Sequence, residues 1–291
     1  MTRTRIPLHV PALALASLLW AAPAMAAIVL NWDFQTINGA APQVNDASAN
    51  GHDGSFVLTG AATDPVQLVN GGPDGSNALS FTGVTGPPHD SNGAFAASDP
   101  DFDLAALSVS VWFNSAGNTG TNQIIAGRWS DGTRAGWVIR MNAAGQVFGA
   151  FLRQGTDDTG GLAGNNSIVS AAAFDDGFWH HAVMTFEPGV GSRFFVDNVE
   201  ITALNAFSYS NTNTTAAVYE AGNTSRFGVG AQFFNTPRGF TGAIDQVYLF
   251  DTAIDPGTIN KLFNHSIPEP ASATLLLTAV LLWRPRRRAA R

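Results

Sequence analysis

Ser108-Val109-Ser110-Val111-Trp112-Phe113 alternates polar and apolar side chains before it closes on two aromatic rings. Successive side chains of a strand point to opposite faces, so the stretch reads as a half-buried strand. Working outward, similar runs cover Leu107–Phe113, Gln123–Gly127, Gly136–Met141, Gln146–Leu152, Trp179–Phe186, Arg193–Val196, Arg226–Val229 and Ala243–Phe250. Turn signals separate them, among them Asn118-Thr119-Gly120, Ser130-Asp131-Gly132 and Ala144-Gly145. The middle of the chain shows no long run of helical period. Many short strands at short spacing predict an all-β sandwich. One short helix is expected near its end, with Asp255 as N-cap, Pro256 at the first position, and Ile259, Leu262 and Phe263 on one face.

The two ends differ from this pattern. Arg3 and Arg5 precede an apolar run from Leu8 to Trp20, and Ala24-Met25-Ala26 offers a small-x-small cleavage site. Residues 1–26 therefore read as a signal peptide cut by signal peptidase. At the other end Pro268-Glu269-Pro270 leads into an apolar run from Ala271 to Trp283, followed by Arg284, Arg286, Arg287, Arg288 and Arg291. As a helix that run is roughly 20 Å long, short against a hydrocarbon core of about 30 Å. Snorkelling arginines and local thinning can cover the deficit for a transient stay in the inner membrane. The basic cluster keeps to the cytoplasmic side and leaves everything before Pro268 outside.

Residues 27–266 remain as one β-domain. They hold eight basic and twenty-one acidic side chains, a formal charge of −13, where the whole chain shows only −7 because seven arginines sit in the two ends. So acidic a domain argues against nucleic acid as a partner. The chain has no cysteine, which excludes disulfides, thiolate metal sites and a cysteine nucleophile.

Two resemblances follow from particular residues. The tail, with Pro268-Glu269-Pro270, its apolar segment and its arginines, resembles the PEP-CTERM sorting signal of Gram-negative bacteria. That implies an exosortase-type sorting enzyme as partner, and a destination at the cell surface or in the extracellular matrix of a bacterium that makes exopolysaccharide. The departures are the short apolar run and the interrupting Pro285. The middle resembles the LamG-like, concanavalin A-like jelly roll at four places in order: Trp32-Asp33-Phe34 with Asn45 to Gly54, the strand Leu107–Phe113, Phe178 to Val183 with Phe194 to Asn198, and Phe240 to Val247. Ala49 and Asn198 stand where that family prefers glycine, and asparagine tolerates the positive φ such a turn needs.

Glycoside hydrolysis needs a carboxyl pair at fixed separation. The chain has four glutamates, Glu187, Glu200, Glu220 and Glu269, and none in the E-x-D-x-x-E spacing of the family's hydrolases. The expected function is therefore non-catalytic binding of glycan or protein in adhesion or a biofilm matrix, with exopolysaccharide or another surface protein as partner. The alternative is a glycan hydrolase using two aspartates about 5–10 Å apart. His180 and His181 are adjacent on a strand, so they face opposite ways and do not share a site. Asp99, Asp101 and Asp103 imitate the start of an EF-hand, but Leu104 replaces the glycine and Ser110 the glutamate that such a loop needs. The family resemblance implies a structural Ca²⁺ held by oxygens of Asp46, Asn50 and Asp245. A metal-free hydrogen-bonded loop cap is the equal alternative. A sugar site is expected at Arg128, Trp129 and Asp131, ahead of a polar loop, against the alternative that such rings are core.

Overall fold

A computed structural model describes residues 26–57, 66–83, 92–115, 117, 120–129, 136–152, 166–203, 225–231 and 238–266. The expected signal peptide and the PEP-CTERM-like tail lie outside these residues. Among them the strands, in chain order, are β1 (Ile28–Trp32), β2 (Gly54–Val57), β3 (Gln67–Asn70), β4 (Asn77–Thr82), β5 (Gly93–Ala96), β6 (Leu107–Ser115), β7 (Gln123–Trp129), β8 (Gly136–Met141), β9 (Gln146–Leu152), β10 (Asn166–Ala173), β11 (Trp179–Glu187), β12 (Gly191–Val196), β13 (Val199–Ile201), β14 (Gly228–Val229) and β15 (Thr241–Phe250). A single turn of 3₁₀ helix covers Pro100–Phe102, and α1 covers Pro256–Phe263.

The strands form two antiparallel sheets. One runs β13-β12-β11-β6-β15-β4-β3, with β1 also pairing β15, and the other runs β10-β9-β8-β7-β14-β5-β2. Strand β15 is long enough to serve two partners along one edge: Thr241 to Ile244 pair β4, and Val247 to Phe250 pair β1. Its other edge pairs β6. The core lies between the sheets, where Val109, Val111 and Phe113 of β6 meet a layer that includes Ile125, Trp137 and Phe227. This is the all-β sandwich that the alternating runs predict, in the jelly-roll form that the family resemblance implies.

The outer face of β6 departs from expectation. Ser108 and Ser110 face away from the core, yet both are 0 % exposed. The chain after β15 folds back across this face, and α1 packs Ile259 and Leu262 against Val183, Phe195, Tyr248 and Phe250. Polar groups under such a cover need partners. The Ser108 hydroxyl donates to the Thr252 carbonyl at 2.8 Å and accepts the Ile254 N–H at 2.9 Å. The Ser110 hydroxyl lies 2.7 Å from His181 Nε2. The alternation therefore marks a strand buried on both faces, one apolar and one polar.

Helix α1 forms as its caps dictate. The Asp255 carboxylate accepts the Thr258 N–H at 2.9 Å and Pro256 opens the first turn. Phe263 stacks on Trp112 with ring centroids 5.6 Å apart. His180 and His181 do face opposite ways. His181 stacks on Trp112 under the helix, at 4.9 Å. His180 packs against Phe113 and Phe174, and its ring nitrogens contact Asp197 at 2.8 Å and Asp176 at 3.0 Å.

Replacing Ser108 with alanine removes both bonds and leaves the buried Ile254 N–H without its acceptor. We expect S108A to lose about 1–3 kcal/mol of stability, read as a lower urea midpoint at unchanged slope.

Candidate functional site

Where β15 ends its pairing with β4, its ladder to β6 shifts register between Asp245 and Tyr248. The bulge turns on Gln246, whose φ is +47°. Bulges of this kind re-aim side chains. Here the bulge drives the Asp245 carboxyl into the protein and lays Gln246 over a cleft of about 230 Å³, lined in part by Asp33, Gln35, Asp74, Tyr248 and His265. Of the six non-glycine residues with positive φ among those described, two line this cleft, Gln246 at +47° and His265 at +51°, and a third, Phe34 at +51°, sits in the chain between the lining residues Asp33 and Gln35. Left-handed backbone at such residues is strained, and strain of this sort collects at binding and catalytic sites.

A relay of hydrogen bonds sets the cleft's polarity. The Asp74 carboxylate accepts the Ser76 N–H at 2.9 Å and the Gln246 amide N–H at 2.9 Å. With its amide nitrogen on a carboxylate, Gln246 presents Oε1 to His265 Nδ1, 2.9 Å away. An amide oxygen only accepts, so His265 Nδ1 carries the proton. The His265 ring also stacks on Trp112 at 4.9 Å. Asp33 accepts the Gln35 N–H at 3.2 Å in a local turn.

The two acids beside Ser76 are pushed apart. Partial burial raises the Asp74 pKa, but the Ser76 hydrogen bonds and the nearby His265 outweigh it and hold the group below its usual range. Asp245 is 0 % exposed. Its burial drives the pKa up to about 8, with the Asp74 and Asp33 charges adding, against hydrogen bonds from the Gln246 N–H at 2.7 Å and Ser76 Oγ at 3.1 Å. Gly72 makes room for this arrangement, since a Cβ there would stand 2.6 Å from Asp245 Oδ2.

The residues expected to hold calcium fall into two networks. Asp46 Oδ1 accepts the Asn31 and Ser48 N–H groups at 2.9 and 3.0 Å, and Oδ2 accepts the Ser48 hydroxyl at 2.8 Å and the His52 N–H at 3.0 Å. Asn50 turns its amide nitrogen to the carbonyls of Ile28 and Val29, at 2.8 and 2.9 Å. Asp245 bonds to Ser76 and Gln246 instead and shares no partner with either. Four N–H and O–H donors point at the Asp46 carboxylate, an arrangement that caps the loop. Among the described residues no three His, Cys, Asp or Glu side chains come together to hold a metal ion.

Of the expected sugar-binding trio, one side chain is described, that of Arg128. Arg128 is only 1 % exposed. Its guanidinium donates to the Ser225 carbonyl at 3.2 Å, the Phe102 carbonyl at 2.9 Å and Asp103 Oδ1 at 2.6 Å, so it serves as an internal strut. Trp129 contributes the last residue of β7, and Asp131 lies outside the described residues. Asp99 caps the 3₁₀ turn by accepting the Asp101 N–H at 2.9 Å, the polar lead into β6 that replaces an EF-hand.

Comparison with known proteins now places the fold. Residues 89–260 match the family Laminin_G_3, the concanavalin A-like lectin/glucanases superfamily, and the chain belongs to it. Among solved structures the chain is similar to the binding domain of paraclostridial mosquitocidal protein 1, at 15% identity and a TM-score of 0.57, over 82% of this chain and 52% of that one. A structure of botulinum neurotoxin type C, described as depending on two ganglioside molecules for cell entry, matches at 13% identity and TM-score 0.55, over 83% and 52%. Domain 4 of the extracellular arabinanase AbnA from Geobacillus stearothermophilus, in complex with arabinotriose, matches at 15% identity and TM-score 0.51, over 81% and 98%. The chain spans about half the length of the toxin chains. No curated protein sequence matches it.

Asp245 makes a pH prediction. Unfolded, it loses its proton near pH 4; folded, it keeps it to about 8. Between those values folded Asp245 binds more protons, so its contribution to stability falls as pH rises from about 4 to about 8. Thermal melts of D245N should lose part of that slope and exceed wild type at pH 8. His180 adds to that slope: burial lowers its pKa, but its hydrogen bonds to Asp197 and Asp176 win and raise it, so its contribution is complete below about 6.5 and fades above its raised value. His181 opposes it, since burial lowers its pKa to about 3 and its contribution rises with pH up to about 6.5. Identical slopes in wild type and D245N would mean that Asp245 is ionised in the folded protein.

Proposed function

We propose that residues 27–266 are an exported, non-catalytic module that binds neutral glycans of the cell surface or exopolysaccharide matrix. Delivery is by the signal peptide of residues 1–26. Sorting is by an exosortase-type enzyme that reads Pro268-Glu269-Pro270, the apolar segment and Arg284, Arg286, Arg287 and Arg288. The fold accommodates the expected cut: β1 starts at Ile28, beyond Ala26, so cleavage removes no strand residue. The Ala27 N–H already donates to Asp251 Oδ1 at 2.9 Å, and a cut after Ala26 turns that bond into an ammonium–carboxylate pair. Among the described residues no helix is long and apolar enough to cross a membrane, and the apolar tail lies outside them.

The observation that carries the binding reading is where the raised pKa sits. A glycosidase needs a protonated carboxyl within reach of the leaving oxygen. Among the described residues the acid with a raised pKa is Asp245, which is buried behind Ser76 and does not line the cleft. Asp74 does line it, but is held ionised by its hydrogen bonds. An acidic rim of hydroxyl-accepting groups suits an uncharged polyol. The arabinotriose in the similar arabinanase domain is a ligand of that kind.

Calorimetric titration with the host's own polysaccharide and with arabinotriose, in calcium and in chelator, tests this. We expect saturable binding and no reducing ends released. No heat at millimolar sugar in either buffer overturns the reading. A hydrolase acting through Asp33 and Asp74, which share the cleft, is the second reading; reducing-sugar release that disappears in D33N and D74N would establish it. For sorting, deletion of the exosortase should shift the protein from the matrix to the membrane fraction, and equal distribution in both strains would remove that part of the proposal.

A further inference from the structure

We propose that a second cleft, at the opposite end of β1 from the acidic one, holds a single neutral sugar unit through His52, Asp101 and Asn50. The inference rests on the glycan-binding reading above and adds a site to it. This cleft has a volume of about 350 Å³ and is lined by Ile28, Val29, Asn50, His52, Asp101 and Leu104 among others. That volume is within the range of about 300–1,000 Å³ usual for small-molecule sites. Its floor lies at Ile28, and the acidic cleft begins at Asp33, five residues along an extended chain, on the order of 17 Å.

The second cleft is built around an imidazole with an unmet requirement. His52 is held from every side but one. Its N–H donates to Asp46 Oδ2 at 3.0 Å, its carbonyl accepts the Trp32 indole N–H at 2.9 Å, and its ring leans on Phe102 at 4.6 Å. The side chain is only 6 % exposed, yet Nε2 has no hydrogen-bond partner among the described residues. A buried ring nitrogen in that state is costly and calls for a partner. The nearest charged group is Asp101 Oδ2, at 3.6 Å, too far for a hydrogen bond. Asp101 itself is 69 % exposed and free to meet a ligand.

One hydroxyl group fits this gap. It can accept from Nε2–H and donate to the Asp101 carboxylate, giving two bonds where the protein alone makes none. A neighbouring hydroxyl then finds an acceptor in Asn50 Oδ1, because the Asn50 amide nitrogen is engaged by the Ile28 and Val29 carbonyls. The apolar side chains of Ile28, Val29 and Leu104 supply a surface for the C–H face of a sugar ring. Anions are disfavoured, since Asp99, Asp101 and Asp103 stand together on one short segment. Vicinal hydroxyls on a compact ring, with no charge, describe a pyranose or furanose unit.

The test uses the exported protein and the methyl glycosides of glucose, galactose, mannose and arabinose as probes, with the His52 ring followed by nuclear magnetic resonance. At least one glycoside should shift the His52 signals saturably. D101A, at an exposed position that leaves the packing intact, should weaken that binding at least tenfold without changing the melting temperature, and H52Q, which lacks the reporter ring, should show the same loss of glycoside binding by calorimetry. D74N, in the other cleft, should leave it unchanged. If the polysaccharide binds but no glycoside moves His52, or if D101A binds as wild type does, the second site is overturned while the glycan reading stands. If His52 shifts equally with glycerol and with every sugar, a bridging water is being exchanged and the site is overturned. If neither glycosides nor polysaccharide bind, both proposals fall.

Discussion

The terminal helix and the acidic cleft depend on β6 being buried on both faces. A sandwich core needs only the inner face of each sheet, and the inner row of Val109, Val111 and Phe113 serves that need. The outer row is covered as well, because the chain after β15 returns across it and ends in α1. The cover is held by apolar contact at one end and by the two hydrogen bonds of Ser108 at the other. Serine suits this place: it is small enough to lie flat under a crossing chain, and its hydroxyl both donates and accepts.

The position of the acidic cleft follows from that cover. The segment after α1 finishes at His265 in left-handed backbone, stacked on Trp112. Trp112 and Asp245 are partners in the β6–β15 ladder just before the bulge. The bulge, the returning helix and the 70–77 turn therefore meet at one spot, and the Asp74–Gln246–His265 relay joins them. The cost is a carboxyl group buried away from water at Asp245, which the protein meets by keeping it protonated. The other cleft has a separate origin. The loop capped by Asp46 presses His52 against the 3₁₀ turn, and Arg128 fastens that turn to the sheet from inside.

Much of the fold was legible in the residues. Long alternating or continuous apolar runs gave β6, β8, β9, β11 and β15 within two residues of their observed bounds, and the Asp255-Pro256 cap announced α1. Strands β1 to β5, β10 and β13 were missed for physical reasons. β1, β2, β3, β5 and β13 have only three to five residues, and β10, with eight, is mostly Ser, Ile, Val and Ala with little apolar mass to register. β2 and β5 contain glycines against which the Trp32 and Phe95 rings pack closely, and such a contact leaves no periodic signal in the chain. β1 follows directly on the apolar leader and merges with it in any hydropathy reading.

The sites were much less legible. Asp46, Asn50, Asp245 and Arg128 were all singled out by residue type and by family pattern. Three-dimensional placement gave each a hydrogen-bonded role in a loop cap, a bulge or an internal strut. Asp33, Asp74, Gln246 and His265 carried no spacing that could have joined them, since they lie on four segments up to 232 positions apart. The sequence by itself determined the all-β class, the terminal helix, the acidic charge of residues 27–266 and the expectation of export, because these depend on local periodicity, caps and composition. Only the tertiary structure decided which polar groups face a cleft and which are consumed inside. That outcome depends on a bulge, which leaves no local mark in the chain, and on where the helix packs, which its caps do not encode.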